Sequence, residues 1–181
     1  MDFDLVLKLL VPRLRRARVR YAITGGVAVG IHAEPRTTQD LDLLVHRDDL
    51  AAVDRILVHL GYERFQLLRL FSRYDGPADP FGGVDLQHAS TPGLVAMLHR
   101  TARWRRKGLS GSLAVVSPED LIGLKALAIA NNPRRRHKDY RDMVEVARAA
   151  GKKLKWTLVS RHFKELNKSR WIRMLKRDVR P

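Results

Sequence analysis

Apolar residues recur along this chain at two spacings, which predict helices in some segments and strands in others. Helical spacing and its flanking cap signals predict helices over residues 3–16, 26–33 and 48–60, from Thr91, and repeatedly from Ser117 onward. Alternating or short apolar runs predict strands at residues 20–24, 40–45, 64–73 and 112–116, and a further strand that carries Asp85, after a turn at Gly82 and Gly83. This combination predicts an α/β protein in which a small mixed, mainly antiparallel sheet is flanked by helices.

The pattern changes near residue 117. All predicted strands precede this point, and only helical patterns follow it. Ser117 and Pro118 form a clear helix start, with serine as the cap and proline in the first turn. The earlier helix that opens at Thr91 is expected to run into the basic cluster at residues 103–107. We therefore expect a core domain over residues 1–116 and a basic helical subdomain over residues 117–181.

Two aspartates interrupt the apolar strand predicted at residues 40–45. Side chains alternate along a strand, so Asp40 and Asp42 point the same way, roughly 6.6 Å apart at Cα, while Leu41 and Leu43 face the core. Aspartate is depleted in strands, and two like charges on one face repel each other. A divalent cation held by oxygen ligands best explains the pair, the alternative being a solvated turn or cap.

A third acid and a glycine turn extend this site. Asp85 lies in a short apolar segment after a glycine pair, and a strand there could bring a third carboxylate to the same sheet edge. Three such carboxylates can hold two Mg²⁺ ions. Gly25 and Gly26 end one strand and open a helix, where phosphate can approach the backbone. Further phosphate contacts are expected from Arg36, Thr37 and Thr38, although Arg36 is equally compatible with an ordinary surface arginine.

The net charge of +16 is concentrated in one half of the chain. Residues 1–99 carry 12 Lys/Arg and 12 Asp/Glu, whereas residues 100–181 carry 23 and 7. This imbalance favours polyanion binding by residues 100–181, the alternative being solvated basic faces in an arginine-rich chain. An aromatic stripe in this half (Trp156, Val159, Phe163 and Leu166) is interpreted as core rather than as a base-stacking surface.

Composition excludes several other classes of protein. The chain has no cysteine and therefore no disulfide framework or thiolate metal site, and its 7 histidines lack the spacing of a zinc site. No apolar run approaches the ~20 residues of a membrane span. The N-terminus does not have the layout of a signal peptide, so a cytoplasmic location is expected.

The order and spacing of these motifs resemble the nucleotidyltransferase superfamily of DNA polymerase β, and especially its small bacterial members. The residues that carry the resemblance are the Gly25-Gly26 turn, the Asp40/Asp42 pair and the later Asp85, within residues 20–90 and more loosely to residue 147. The resemblance implies that Asp40 and Asp42 bind two Mg²⁺ ions. It also implies that Asp85 completes the catalytic metal's shell and helps to deprotonate the acceptor hydroxyl, while the glycines hold the nucleotide's phosphates.

A second resemblance concerns Lys125, which falls on the apolar face of the helix after Ser117. Together with Asp139 and Asp142 it is similar to the later motifs of nucleotidyltransferase toxins from abortive-infection-type toxin–antitoxin systems. This implies that Lys125 contacts the triphosphate and that one of the two aspartates is needed for activity, with Asp139 favoured. Snorkelling of Lys125 to the surface is the alternative.

The expected activity is Mg²⁺-dependent transfer of a nucleoside monophosphate from an NTP to an acceptor hydroxyl. The basic half favours RNA as the acceptor, tRNA above all, and the toxin resemblance adds an antitoxin protein as a possible partner. Two alternatives stay open: transfer to a small hydroxylated molecule such as an antibiotic, and a non-catalytic nucleic-acid-binding module on the same fold.

Overall fold

The computed structural model describes residues 1–35, 37–105, 108 and 111–180. These residues form two compact units. The first comprises Met1–Val27 with Thr37–Val116, and the second contains the described residues from Ala28 to Pro35 and from Ser117 onward.

The first unit contains the sheet. Its strands in the described part of the chain are β1 (Tyr21–Ile23), β2 (Asp40–His46), β3 (Glu63–Leu67), β4 (Phe71–Asp75), β5 (Gly83–Ala89), β6 (Ala102–Arg105) and β7 (Ser112–Val115). They lie in the order β3-β4-β5-β2-β1-β7-β6. The β2–β5 and β1–β7 pairs are parallel and the other pairs are antiparallel. The predicted α/β class with a mixed, mainly antiparallel sheet is therefore confirmed.

Eight helices complete the described part of the chain. They are α1 (Phe3–Arg16), α2 (Gly25–His32), α3 (Leu50–His59), α4 (Pro92–His99), α5 (Pro118–Asn131), α6 (Arg136–Ala150), α7 (Trp156–Glu165) and α8 (Trp171–Val179). Short 3-10 turns occupy Arg47–Asp49, Pro133–Arg135 and Gly151–Lys153. The division of α2 between the two units falls after Val27, so its glycine-containing first turn belongs to the first unit.

Strand β2 lies inside the sheet, between β5 and β1, which explains its sequence. Leu41, Leu43, Leu44 and Val45 are almost completely buried. Apolar side chains on both faces of its second half are typical of a central strand. The acidic side chains of β2, Asp40 and Asp42, are confined to the beginning of the strand.

Two predicted elements of the first unit were wrong. Residues 64–73 do not form one strand, because the chain reverses between β3 and β4 and the Leu68 N–H closes the turn on the Phe71 carbonyl at 2.8 Å. The helix that opens at Thr91 ends at His99 instead of running into the basic cluster, and Ala102–Arg105 pairs as β6 with β7. In this pairing the backbone groups of β6 bond to a neighbouring strand, which a helical pattern in isolation does not reveal.

Helices α5 to α8 form the second unit. The Ser117 hydroxyl caps α5 by accepting a hydrogen bond from the Asp120 N–H at 3.2 Å, as the sequence predicted. Val159 and Phe163 are fully buried, and the Phe163 ring meets Trp171 edge-on with 6.2 Å between ring centroids. The interpretation of this aromatic stripe as core is confirmed at these two positions. None of the helices in the described part of the chain has the length and apolarity needed to cross a membrane.

Candidate active site

Two of the predicted carboxylates lie side by side in the sheet. Strands β2 and β5 run parallel, and Asp42 and Asp85 are partners in their register. Neighbouring strands lie about 4.8 Å apart, so the two side chains leave the same face as adjacent groups. Asp40 is two residues earlier on the same face of β2, opposite Gly83. Asp42 and Asp85 therefore lie side by side on adjacent strands, and Asp40 lies one two-residue strand repeat away from Asp42.

The turn at Gly25 and Gly26 packs directly against the side chain of Asp42. Gly25 has a φ of +58°, a conformation that side-chain-bearing residues rarely adopt, and a Cβ atom there would overlap the Asp42 carboxylate. The Gly26 N–H lies 3.4 Å from Asp42 Oδ2, and the Thr24 N–H donates to the Asp42 carbonyl oxygen at 2.9 Å. The first turn of α2 and the central acid are therefore in direct contact, and only glycine fits between them.

A second glycine, Gly83, lies against the carboxylate of Asp40. A Cβ atom on Gly83 would lie 2.7 Å from Asp40 Oδ1, which is closer than real Cβ contacts come. The Gly82-Gly83 pair was interpreted from sequence only as a turn. The structure adds that Gly83 leaves room for the neighbouring carboxylate.

Sequence analysis missed Arg73, which pairs with the third acid. Arg73 is the register partner of Asp85 on β4, and its Nε lies 3.3 Å from Asp85 Oδ2. The Arg73 side chain is 44% exposed and that of Asp85 33%, so solvent screens the pair. Nothing in the sequence Phe71–Asp75 places Arg73 opposite Asp85, because this neighbour is set by the pairing of β4 with β5. The error was to interpret residues 64–73 as one strand, which left Arg73 at its end.

The donor chemistry of Asp40, Asp42 and Asp85 suits Mg²⁺, which prefers carboxylate oxygens. Within the described residues, however, no group of three or more His, Cys, Asp or Glu side chains is already gathered as a metal site. Asp42 is turned toward the glycine bend and Asp85 toward Arg73. The acids are thus of the kind that binds Mg²⁺ and lie on one face, while the carboxylates of Asp42 and Asp85 contact protein groups in this structure.

The other residues predicted to contact phosphate before the first acid are Arg36, Thr37 and Thr38, of which Thr37 is exposed. Thr38 is partly buried, and its hydroxyl oxygen lies 3.5 Å from the Asp40 carbonyl oxygen. It therefore flanks the first acid. Arg36 lies outside the described residues.

In the second unit, Lys125 is at the centre of a buried ionic cluster. Its Nζ donates to Asp139 Oδ1 at 2.9 Å and to Asp142 Oδ2 at 2.7 Å, and both carboxylates are inaccessible to solvent. Arg135 Nε donates to Asp139 Oδ2 at 2.7 Å. The snorkelling alternative is therefore wrong, since Lys125 faces inward as its position on the helix predicted. Contact of Lys125 or Asp139 with a nucleotide stays a prediction.

Burial and nearby positive charge act in opposite directions on the pKa of the Asp139 carboxyl. Burial works to raise the pKa of its carboxyl, but hydrogen bonds and charge from Arg135 and Lys125 outweigh it and hold the pKa below the usual range. Asp139 is therefore held as an anion. The ion pairs of Lys125 with Asp139 and Asp142 therefore link α5 to α6 in the folded protein.

A second buried polar pair in this unit was not found from sequence. His162 Nε2 lies 2.9 Å from Asp120 Oδ1, and both side chains are almost completely buried. A Cβ atom on Gly123 would lie 2.7 Å from the imidazole ring. A glycine in the interior of an otherwise apolar helix was the available signal, because it marks close approach of another group.

Comparison with known proteins places the fold. No protein-family model matches the chain, and no curated protein matches it either. Among solved structures it is similar to ANT(2″)-Ia in complex with adenylyl-2″-tobramycin, with a TM-score of 0.68, 12% identity and coverage of 91% of this chain and 99% of that one.

Two further solved structures are similar along most of their length. One is an antigenic nucleotidyltransferase-like protein from Paracoccidioides brasiliensis, with a TM-score of 0.59, 20% identity and coverage of 97% of this chain and 91% of that one. The other is the lincosamide antibiotic adenylyltransferase LnuA bound to lincomycin, with a TM-score of 0.56, 12% identity and coverage of 81% and 96%. The chain therefore has the fold of the nucleotidyltransferases.

Proposed function

We propose that this protein transfers a nucleoside monophosphate from an NTP to an acceptor hydroxyl, with release of pyrophosphate. The observation that carries the proposal is the contact between the Gly25 turn and Asp42, beside Asp85 on the adjoining parallel strand. A helix N-terminus that can receive phosphate and a pair of adjacent carboxylates are what this reaction needs at one place. The shared fold of nucleotidyltransferases supports the same reaction.

Asp40, Asp42 and Asp85 are the residues that would hold Mg²⁺, as two ions. When bound, the metal supplies positive charge that stabilises the attacking and leaving oxygens of the displacement at phosphorus. The protein's own part is to bind and orient. Backbone N–H groups in the first turn of α2 face the incoming phosphates, and Asp85 accepts the proton of the acceptor hydroxyl at a carboxylate oxygen.

The charge distribution favours RNA as the acceptor, with tRNA the first candidate. Residues 100–181 carry the whole excess of positive charge. In the second unit, a groove at the start of α6 is lined by three arginines, a histidine and one aromatic ring: Arg134, Arg136, Arg141, His137 and Tyr140. A basic groove beside an aromatic ring is typical of surfaces that follow a nucleic-acid backbone.

A small-molecule acceptor is the second candidate, because two of the similar structures contain an antibiotic or its adenylylated form. Their lengths are nearly spanned by this chain. Against this candidate stands the net charge of +16, which repels any cationic acceptor and favours a polyanion. A role as the toxin of a toxin–antitoxin pair is compatible with either acceptor. It predicts that expression arrests growth unless Asp42 is replaced by Asn or a partner protein is co-expressed.

The decisive experiment is incubation of the purified protein with each α-labelled NTP, Mg²⁺ and total RNA. The test variant is Asp42→Asn, and the matched control is Asp48→Asn, which makes the same change at a side chain that is 72% exposed beyond the end of β2. Label in RNA with the parent and with Asp48→Asn, but not with Asp42→Asn, is the expected result. Label in an added aminoglycoside or lincosamide instead of RNA would support the second candidate, and label in neither would contradict the proposal.

A further inference from the structure

The first unit contains a cavity of about 340 Å³ whose charged lining is cationic. Among the described residues, no Asp or Glu contributes to its walls. Its basic side chains come from α1 and the turn after it, from the ends of β2 and α4, and from β6: Arg15, Arg18, Arg20, His46, His99 and Arg103. The positive charge of this lining suits a phosphate group, for which the cavity has ample room.

The guanidinium groups of Arg20 and Arg15 already donate hydrogen bonds to other protein groups. Arg20 donates to Asp49 Oδ2 at 2.8 Å and lies 3.6 Å from Asp48 Oδ2, so its charge is balanced by acids outside the cavity. Arg15 donates to the Ser112 carbonyl oxygen, which fixes its position without neutralising it.

Arg18 and Arg103 are different, because both are exposed and neither donates to a carboxylate in the part of the chain that the structure describes. Burial raises the pKa of Tyr21 in the same cavity wall, while Arg15 and Arg103 oppose the rise. Tyr21 therefore keeps its proton at neutral pH and is a hydrogen-bond donor there. The cavity thus presents donors and positive charge to an anion, with two arginines whose charge nothing in the described residues offsets.

The cavity and the carboxylates lie at opposite ends of one strand. Asp40 is the first residue of β2, and His46, in the cavity wall, is the last. Six strand rises separate them, which is roughly 20 Å. A small acceptor bound at the acids stays at one end of β2, whereas a polymer is long enough to reach both ends.

We infer that this cavity binds a backbone phosphate in the single-stranded end of an RNA acceptor whose hydroxyl reacts at the carboxylate end of the same unit. The inference rests on the proposed transfer reaction and deepens it, because it makes the acceptor a polymer held at two separate places. Arginine is suited to the role because its guanidinium group can bind a phosphate with two parallel hydrogen bonds. Free phosphate and pyrophosphate share this chemistry and are tested separately.

The test measures RNA binding apart from catalysis. Fluorescence anisotropy of a short labelled single-stranded RNA is recorded with the Asp42→Asn protein, which removes turnover, across a range of salt concentrations. Arg18→Gln, Arg103→Gln and the double variant are compared with Arg69→Gln, which removes the same charge from the turn between β3 and β4, outside the cavity. Thermal unfolding checks that each variant is folded, and calorimetry with inorganic phosphate and pyrophosphate measures free-anion binding.

Each cavity substitution is expected to weaken RNA binding by about tenfold, the size of one charge-assisted contact. In the double variant, the slope of log affinity against log salt is expected to become shallower by about 0.7, the value for one phosphate contact on a single strand. Arg69→Gln should change affinity by less than about twofold. Equal RNA affinity in the folded double variant and Arg69→Gln overturns the inference, and so does loss of phosphate or pyrophosphate binding alone.

The outcomes also separate this inference from the proposed activity. If label enters RNA and the KM for RNA is unchanged in the double variant, the cavity inference fails and the transfer reaction stands. If RNA binding depends on Arg18 and Arg103 but no label is transferred, the RNA site stands and the transfer reaction fails.

Discussion

Replacement of Gly25 by alanine tests the contact on which the candidate site depends. Gly25 has a φ of +58°, and an added Cβ atom would occupy the space of the Asp42 carboxylate. Gly151 offers a matched control, because its φ is +52° and an added Cβ atom there would meet nothing within 4 Å. Both substitutions place alanine at a positive φ, at Gly151 with a ψ of −131°, and only the substitution at Gly25 displaces an acid.

The structure sets the expected magnitudes. Alanine in a sparsely populated backbone region of positive φ costs on the order of 1–3 kcal/mol, so Gly151→Ala should lower the free energy of unfolding by about that amount. Gly25→Ala adds a steric overlap of the kind that costs about 1–3 kcal/mol, for a total of about 2–6 kcal/mol. The overlap can be relieved only by moving Asp42 or the glycine turn. A misplacement of about 1 Å at a reacting centre can reduce kcat on the order of 100-fold.

Urea unfolding followed by circular dichroism measures the free energy of unfolding, and label transfer at saturating NTP measures kcat. Gly151→Ala should lose stability while it keeps its activity. Gly25→Ala should lose more stability and most of its activity at a temperature where it is still folded. Equal losses of stability in the two variants, with transfer intact in Gly25→Ala, would refute the argument that the glycine turn positions Asp42.

Three further predictions concern charged groups. Arg73→Gln removes the cation beside Asp85, so a metal titration should find activity half-saturated at a Mg²⁺ concentration a few fold lower than in the parent. The control Arg69→Gln should be half-saturated at the same Mg²⁺ concentration as the parent. Lys125→Met leaves two buried carboxylates without their shared cation, and urea titration should find the free energy of unfolding lower by about 3–5 kcal/mol; a loss below about 1 kcal/mol would contradict the account. The lowered pKa of Asp139 stabilises the fold above the ordinary value of 3.8, and this contribution is lost as pH falls below that value. Asp139→Asn should therefore show less loss of stability than the parent between about pH 5 and pH 3, and parallel profiles would contradict the assignment.

The parts of this fold that sequence predicts well are those in which local chemistry and burial agree. Apolar residues on both faces of β2, with acids only at its beginning, were enough to predict the strand and the face of Asp40 and Asp42. The Ser117 cap was equally clear, because a hydroxyl, a proline and two acids in the first turn all favour the same helix start.

The parts that sequence did not predict depend on partners distant in the chain. The reversal between β3 and β4 has no Gly or Pro in its turn, so only the pairing of the two strands reveals it. For the same reason the neighbour of Asp85, Arg73, was missed. The burial of Lys125 was expected, but its two carboxylate partners could be identified only once α5 and α6 were packed together.

The crossover between β2 and β5 has a consequence for the integrity of the site. These strands are neighbours in the sheet, although α3, β3 and β4 lie between them in the chain. Bringing such distant segments together requires closure of the intervening loop, which costs conformational entropy. Asp42 and Asp85 are therefore neighbours only while β2 and β5 are paired, so a chain that has lost this pairing has both acids but not the site.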